Sequence, residues 1–427
     1  MFGKTKLVGI FTVVGISLSA CFAVSSAQAQ TAPQPVQAGK CRNAVPSYST
    51  IQAAVNAAAV GALVYVCPGI YPEQVTINKN LSLQGVPSGT ADASVIVPPA
   101  GGLVQNATDP SPASANPPIA AQIFVQGATA VNLTNLVIDG HNNQLVGCTA
   151  PTLVGVYYQN ASGTLKSLNV RNEMLGPADA ACNSGLGMYF EANTATSINA
   201  TISTITNFQK NGITANGYGN GSPGPVVYFW GDQVVGQGPM AGGAQNGVQI
   251  GFGASGKFTT NIVTDEVFQS ASGSAAGTGV LVYASNGVNV NSNQIGSTQV
   301  GVAVVSDPIY GNADNNSVTA NTVTSTIDGV SLCSNTNIVK NNQLYNNSEA
   351  GVKVDTSCTE GPGGGSSGNG NSITNNTVNG GCAGVLEGTG TGNIFSPNPM
   401  INVITLLVPG NACNPPVLSA GRPVPFR

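Results

Sequence analysis

Five ionisable side chains in the middle of the chain could together act on an acidic polymer. Asp139 and Arg171 each end a short apolar segment, His141 and Glu173 each stand two residues further on, and Lys210 follows a third such segment. If these segments lie side by side, Arg171 or Lys210 would neutralise a uronate carboxylate while the carboxylates or the imidazole transfer protons. The pattern predicts a catalytic flank of the lyase or hydrolase type. The simpler alternative is a surface ion pair between Asp139 and Arg171, which contributes less than about 1 kcal/mol.

Aromatic side chains offer a second kind of site. Tyr157 and Tyr189 hold the same position after a glycine, and Tyr228 and Trp230 follow on a later segment. If these rings face outwards, they form a substrate-binding platform on which the C–H faces of sugar rings pack. If they face inwards, they form an aromatic stack in the core. The sequence fits both interpretations.

The cysteines predict disulfides rather than a metal site. The chain has nine cysteines, and eight remain when Cys21, in the apolar N-terminal run, is set aside. An even number in an exported chain is typical of disulfide bonding. The sequential couples are Cys41–Cys67, Cys148–Cys182, Cys333–Cys358 and Cys382–Cys413. The sequence predicts no metal site because it has no Cys-x-x-Cys spacing and His141 is its only histidine.

A repeated element must position these residues. It consists of a glycine followed by alternating apolar residues, and spacings of 22 residues recur between copies, from 279 to 301 and from 329 to 351. The copies begin at Gly155, Gly187, Gly212, Gly247, Gly279, Gly301, Gly329, Gly351 and Gly384. Periods of this length indicate a solenoid.

A second element contains asparagine and lies between the glycine segments, at Asn293, Asn321, Asn342 and Asn376. A strand of four or five residues cannot bury its apolar side alone, so each coil must rest on the previous one, about 4.8 Å away. Stacked asparagines can then form hydrogen-bonded ladders, and glycine is expected to supply the positive φ of tight corners. The sequence therefore predicts an all-β fold, a right-handed parallel β-helix solenoid.

A short helix is expected to cap the N-terminal end of this stack. Ser49 or Thr50 can cap a helix whose apolar positions run from Ile51 to Ala58, and Gly61 follows as a stop. Such a cap would protect an edge that otherwise invites aggregation.

The N-terminal residues predict export. Lys4 and Lys6 precede an apolar run, and Ala27-Gln28-Ala29 is typical of a signal-peptidase site, which makes residues 1–29 a signal peptide. The alternative is a lipoprotein acylated at Cys21; neither leaves a transmembrane span in the mature chain. Only 7% of the residues are charged, and removal of 1–29 leaves 11 basic and 17 acidic residues. That balance argues against nucleic acid as a partner.

The segment Tyr48–Gly85, with its Val64-Tyr-Val-Cys-Pro-Gly and Gly69-Ile-Tyr-Pro-Glu strings, resembles the opening of the pectin-lyase-like right-handed β-helix superfamily. The resemblance implies a solenoid over residues 47–395, preceded by a linker at 30–46 and followed by a cap or tail at 396–427. Gly-, Pro- and Ser-rich inserts are expected to leave the solenoid as loops. They lie at residues 99–118, 216–225, 235–246 and 361–370.

The resemblance implies polysaccharide as the partner but no particular reaction. Gly69–Glu73 matches a motif of pectin methylesterases and is expected to shape the turn after the first strand, but the other esterase signatures are missing. So are those of polygalacturonases and alginate epimerases. The sequence predicts an exported protein that binds polysaccharide, and cleavage or modification is an added hypothesis; the alternative is a non-catalytic surface scaffold or adhesin. No cofactor is predicted, and calcium would enter only through lyase chemistry, which no residue pattern supports.

Overall fold

The computed structural model describes residues 32–89, 92–111, 117–219, 221–269, 275–354, 368–387, 390–403, 405–409, 422–423 and 425–426. Over these residues the chain is a right-handed parallel β-helix, as predicted. Each regular coil gives one strand in turn to three long sheets, here called sheets A, B and C. The one α-helix of the described residues is short, Ile51–Ala57, and none of their helices is long and apolar enough to cross a membrane.

The strands of each sheet stack along the solenoid axis. Sheet A contains Ser47–Tyr48, Val36–Ala38, Leu63–Val66, Leu81–Gly85, Val131–Thr134, Gly163–Lys166, Ser197–Thr201, Val226–Trp230, Ser255–Thr259, Val288–Asn291, Ser317–Thr319, Ile338–Lys340 and Ser372–Thr374. Sheet B contains Gly69–Pro72, Ser94–Val97, Val137–Asp139, Asn169–Glu173, Thr204–Phe208, Gln233–Met240, Ile262–Phe268, Gln294–Gly296, Thr322–Thr324, Gln343–Tyr345, Thr377–Asn379 and Met400–Ile401. Sheet C contains Val75–Ile77, Pro118–Gln126, Thr152–Gln159, Leu186–Glu191, Asn211–Asn216, Asn246–Gly251, Thr278–Tyr283, Val300–Val305, Asp328–Cys333, Ala350–Val354, Ala383–Glu387 and Thr405–Pro409, and Ala107–Thr108 pairs antiparallel to its second strand. A small separate sheet joins Ala275–Ala276 to Arg422–Pro423, and Pro177–Asp179 forms one 3₁₀ turn.

The glycine repeat sets the register of sheet C. Val280 lies opposite Val302, which lies opposite Val330, which in turn lies opposite Val352. All four side chains are buried in one core that follows the solenoid axis. Like residues therefore stack on like, and this burial stabilises the fold by about 25 cal/mol per Å² of apolar surface.

The repeat glycines do not serve the purpose expected from the sequence. None of those that begin sheet C segments, from Gly155 to Gly351, has a positive φ. They are required by close approach: a Cβ on Gly301 would stand 2.3 Å from Val323 Cγ1 and 2.5 Å from the carbonyl oxygen of Gly329 on the next coil. The left-handed corners are formed by other glycines, such as Gly231 and Gly287, and by asparagine and other polar residues, such as Asn172 and Asn207.

The predicted asparagine ladder is present at the turns between sheets A and B. The backbone N–H and side-chain amide of Asn321 both donate to Asn342 Oδ1, at 2.9 and 3.0 Å, and those of Asn342 donate to Asn376 in the same way. The side-chain amide of each also donates to a backbone carbonyl, as from Asn321 to Val290. Each buried turn is thereby satisfied by the coil above and the coil below.

The helix caps the stack as expected, with a different role for the Gly69–Glu73 motif. Thr50 accepts a hydrogen bond from the N–H of Ala53 at 3.0 Å. Glu73, instead of merely shaping a turn, accepts hydrogen bonds from the N–H groups of Ile51 and Gln52 at 2.8 and 2.9 Å. A carboxylate at this position satisfies the free N–H groups of the first helical turn.

Regions predicted to be irregular supply strands. Val36–Ala38, within the segment expected to be a linker, pairs with Leu63–Val66 in sheet A. The insert predicted at 235–246 begins inside the strand Gln233–Met240, which contains a bulge between Val235 and Gly238.

Two of the four predicted disulfides are confirmed, Cys41–Cys67 and Cys148–Cys182. Cys333 and Cys382 are disulfide-bonded as well. Their predicted partners, Cys358 and Cys413, lie outside the described residues.

Asp232 occupies one position of the asparagine ladder with a carboxyl group in place of an amide. Its Oδ1 accepts the N–H of Ser203 at 2.8 Å, just as Asn261 Oδ1 accepts the N–H of Asp232. In Asn261, the next residue of the ladder, the side-chain amide donates to the backbone carbonyl oxygen of Phe229. Asp232 has Oδ2 at the corresponding position, and this oxygen has no hydrogen-bond partner among the described residues. Burial raises the pKa of Asp232 to about 7.

We expect Asp232→Asn to raise the free energy of unfolding at about pH 8 by roughly 1–3 kcal/mol, because an amide restores the missing donor. The folded protein keeps a proton that the unfolded chain releases, so wild-type stability falls as pH rises from 3.8 to about 7. Urea unfolding across this range should show the gain shrinking as pH is lowered. Asp314→Asn is the matched control, since Asp314 also accepts a backbone N–H, from Asn335, at a half-buried turn. An equal gain in both variants, or none in Asp232→Asn, would contradict this explanation.

Candidate functional site

The predicted register of the catalytic flank is present, and its best-placed members form an ion-pair network. Asp139 lies directly opposite Arg171 on adjacent strands of sheet B. Arg171 Nε donates to Asp139 Oδ2 at 2.8 Å and its Nη1 donates to Asp92 Oδ2 at 2.9 Å. Burial acts to raise the pKa of Asp139, but hydrogen bonds from Asn172 and Arg171 outweigh it and the pKa is lowered. Asp139 is thus held as a carboxylate whose oxygens are already engaged.

Glu173 does not join this flank, contrary to the sequence prediction. Its side chain is fully buried, and a Cβ on Gly155 would stand 2.7 Å from Glu173 Oε1. The cause is Asn172, whose left-handed backbone turns the next residue inwards. Glu173 lies opposite Phe208, a core residue that follows the left-handed Asn207 in the same way. Glu173 is therefore in a core position.

Lys210 is also withdrawn from the surface. It is buried at the corner that leads from sheet B to sheet C, where its Nζ donates to the carbonyl oxygen of Ala244 at 2.7 Å. Burial lowers the pKa of Lys210 to about 7. The structure therefore brings together Asp139 and Arg171 and separates Glu173 and Lys210 from them.

His141 remains exposed between two open depressions. Its backbone N–H donates to Asp139 Oδ1 at 3.1 Å. One depression, of about 470 Å³, is lined by Val97, Pro98, Pro99, Ala100, Asp139, His141, Asn142 and Gln144. The other, of about 430 Å³, is also lined by His141, Asn142 and Gln144 and reaches Pro177. Neither has the predicted set of acid, base and cation along its wall.

Tyr157 and Tyr189 are buried, so they do not form the exposed platform considered above. They face away from the solenoid core, and their rings stack with centroids 5.0 Å apart. Phe124 continues the stack at 5.4 Å. Residues of the insert 99–118 and Phe426 pack against this face, which is why the rings are not exposed.

A buried carboxyl–tyrosine cluster, which the sequence did not reveal, adjoins this stack. The hydroxyl of Tyr157 donates to Glu191, and that of Tyr189 donates to Asp109 Oδ2 at 2.9 Å. Burial raises the pKa of Glu191 well above its usual range, and the nearby charge of Asp109 raises it further. Asp109 and Glu191 lie far apart in sequence, and only the covering insert brings them together.

Tyr228 and Trp230 have the opposite placement. They alternate with the buried Val227 and Phe229, so both rings project from the outer face of sheet A. Each is 39% exposed, which makes them the most exposed aromatic side chains among the described residues. In the neighbouring coils Asn199 and Lys257 flank Tyr228, and Thr201 and Thr259 flank Trp230.

The burial of Glu173 generates a prediction. Its pKa is raised well above 4.5, first by burial and then by the charge of Asp139, so the folded protein holds a proton that the unfolded chain loses above about pH 4.5. Wild-type stability should therefore fall as pH rises through that value. Glu173→Gln should flatten this fall and raise the free energy of unfolding at neutral pH by about 1–3 kcal/mol, measured by urea unfolding.

Glu387→Gln, which removes a partly exposed carboxylate at the end of the strand Ala383–Glu387, is the matched control. An unaltered profile in Glu173→Gln would mean that Glu173 is ionised in the folded protein and that its position is wrongly explained.

Comparison with known proteins identifies the fold. No protein-family model matches the sequence, and no curated protein matches it. Among solved structures, the A-module of a mannuronan C-5 epimerase from Azotobacter vinelandii is similar, with a TM-score of 0.53 and 13% identity over 84% of this chain and 92% of that one. A GH136 lacto-N-biosidase from Eubacterium ramulus has a TM-score of 0.50 and 9% identity over 88% of this chain and 68% of that one. At these identities the likeness concerns the fold alone, and it agrees with the stacked parallel sheets: the chain has a right-handed parallel β-helix fold.

Proposed function

We propose that this protein is an extracytoplasmic polysaccharide-binding β-helix, and that the aromatic strip of Tyr228 and Trp230 on sheet A is its binding surface. The main support for this proposal is that the two most exposed aromatic rings of the described residues lie side by side on the outer face of sheet A. Exposed aromatic groups of this size cost free energy in water and are typical of recognition surfaces.

The geometry of the strip suits a sugar chain. Residues two apart on one strand are roughly 6.6 Å apart along it, so the two rings can each contact a separate part of an extended ligand. Their neighbours Thr201 and Thr259 carry hydroxyl groups that can donate to and accept from sugar hydroxyls.

Lys257 favours an acidic sugar. Its side chain is exposed and stands beside Tyr228 on the next coil, about 4.8 Å away along the solenoid axis. An ammonium group at that distance can pair with a uronate carboxylate whose ring packs on the tyrosine. The epimerase of similar fold is named for mannuronan, which supports a polyuronate as the ligand class.

The disulfides support the extracytoplasmic placement. The disulfides Cys41–Cys67 and Cys148–Cys182 are typical of oxidising compartments. Polysaccharides of the cell wall and matrix lie in the same compartments. Signal-peptide cleavage after Ala29 or acylation at Cys21 would each deliver the chain there.

The proposal is non-catalytic at this surface. The residues that the sequence suggested for catalysis lie elsewhere, because Arg171 is paired with Asp92 and Asp139 at a strand of sheet B and Glu173 is buried in a core position.

The test is calorimetric titration with alginate, pectate and neutral oligosaccharides. Trp230→Ala and Tyr228→Ala should each weaken polyuronate binding by about 5- to 30-fold, since loss of an aromatic contact of this kind costs about 1–2 kcal/mol. Lys257→Ala should weaken the acidic ligands more than the neutral ones and reduce the salt dependence.

Tyr345→Ala is the matched control, because Tyr345 is a partly exposed tyrosine on sheet B, away from the strip. Wild-type protein that binds no glycan, or variants of the strip that bind as well as Tyr345→Ala, would overturn the proposal.

A further inference from the structure

Part of the outer face of sheet C, here called the groove, is covered by Phe426, a residue of the same chain. Arg422–Pro423 pairs in parallel with Ala275–Ala276 at one side of this face. Phe426 is buried, with 1% of its surface exposed. Phe426 therefore lies more than two hundred residues further along the chain than most of the residues that form the floor of the groove.

The backbone of the occupant is held by side-chain amides. The N–H of Phe426 donates to Gln249 Oε1 at 2.7 Å, and Gln249 Nε2 donates to the carbonyl oxygen of Phe426 at 2.9 Å. Asn216 Nδ2 donates to the same carbonyl oxygen at 3.3 Å. A carboxamide that both donates and accepts can do the same for a sugar hydroxyl.

The ring of Phe426 rests on an aromatic floor. Its centroid is 5.5 Å from that of Tyr189, in an edge-to-face arrangement. Tyr189 stacks on Tyr157 and, through it, on Phe124. Leu186 and Val154 belong to the same apolar cluster. A flat, ring-sized group is what such a floor accommodates.

The same floor carries polar groups that a phenylalanine does not need. The Tyr157 and Tyr189 hydroxyls bond to Glu191 and Asp109, and both carboxyl groups are buried. Glu191 Oε1 is buried and has no hydrogen-bond partner within the geometric limits among the described residues, although Asp109 and Ser111 lie close enough to act on the pKa of its carboxyl group. Burying an unpaired carboxyl oxygen is costly, and a ligand hydroxyl would relieve that cost.

We propose that this groove is a binding site for a neutral sugar chain, with the strand Arg422–Pro423 and Phe426 as its intramolecular competitor. The inference rests on the proposed function only for the ligand class, a glycan, and it concerns a different face of the molecule. The ring of a neutral sugar would replace Phe426 on Tyr189, while its hydroxyls would meet Gln249, Asn216 and Glu191.

The charge of the floor selects a neutral rather than an acidic sugar. A uronate would bring its carboxylate towards Asp109 in a buried setting, where it would lose its hydration and be repelled by the charge that already raises the pKa of Glu191. Burial and the charge of Asp109 already raise the pKa of Glu191. The groove and the strip beside Lys257 are therefore expected to prefer different glycans.

Tethering makes the segment an effective competitor despite few contacts. A segment joined to its own site acts at an effective concentration in the millimolar range, so a free ligand must exceed that to displace it. Removing the segment should raise the apparent affinity for a neutral ligand by at least about 10-fold.

The test compares the full chain with a chain that ends at Gly421. A synthetic peptide of residues 421–427 is titrated into each by calorimetry, followed by neutral cello-, manno- and galacto-oligosaccharides and by oligouronates. The shortened chain should bind the peptide, a peptide with Phe426→Ala should bind at least about 10-fold more weakly, and one of the neutral sugars should displace the peptide. The full chain should bind neither at the same concentrations.

Gln249→Ala in the shortened chain should lose peptide binding, while Gln343→Ala, an exposed glutamine on sheet B, should retain it. Full-length Phe426→Ala keeps the strand Arg422–Pro423, which the shortened chain lacks. This variant should also gain affinity for the same neutral sugar. No rebinding of the peptide, no displacement by any neutral sugar, or displacement by oligouronates as effective as by neutral sugars would each overturn the proposal. Peptide rebinding needs neither Tyr228 nor Trp230, so failure of the sheet A strip would be recognised separately.

Discussion

The in-register stacking of one coil on the next is the constraint on which the rest of the structure depends. Every regular residue pairs with the corresponding residue above and below, as Val280, Val302, Val330 and Val352 do along sheet C. Such a column tolerates only side chains that can lie on copies of themselves, which are small apolar residues inside and hydrogen-bonding amides at the turns. The glycine at the start of each sheet C segment follows from the same constraint, because the next coil's carbonyl oxygen leaves no room for a Cβ.

The columns also determine where titratable groups lie. A left-handed corner residue turns the following side chain inwards, and this places Glu173 in the position that Phe208 fills on the next coil. Glu266 follows the left-handed Asp265 and is likewise fully buried with a raised pKa caused mainly by burial. Asp232 interrupts the asparagine ladder for a comparable reason, since a column of amides accepts a carboxyl group only when that group carries a proton. Side chains available for binding or catalysis therefore belong to the outward-facing positions and to the inserts that cover them.

The features that could be predicted from the sequence are those that repeat along it. The matching segments before Asp139 and Arg171 gave their register, the spacing of asparagines gave the ladder, and the sequential order of cysteines gave two disulfides. Glu173 could have been placed correctly by aligning Asn172-Glu173 with Asn207-Phe208, which puts the carboxylate in an apolar column. The burial of Tyr157 and Tyr189 could not have been predicted in this way, because it depends on the insert 99–118 and on Phe426, neither of which belongs to the repeat. The cluster of Asp109 and Glu191 escaped prediction for the same reason.

Two faces of one solenoid thus differ in how they meet a ligand: sheet A presents exposed rings beside a cation, and sheet C presents a covered floor of tyrosines and carboxyl groups. Trp230 is the only tryptophan in the chain, so its fluorescence reports directly on the sheet A strip. The most direct test of the account is to titrate the protein with oligouronates under tryptophan-selective excitation. The account predicts a saturable shift of the emission to shorter wavelength as a sugar ring covers the half-exposed indole, with the same dissociation constant as calorimetry gives. Calorimetric binding with unchanged tryptophan emission would contradict it.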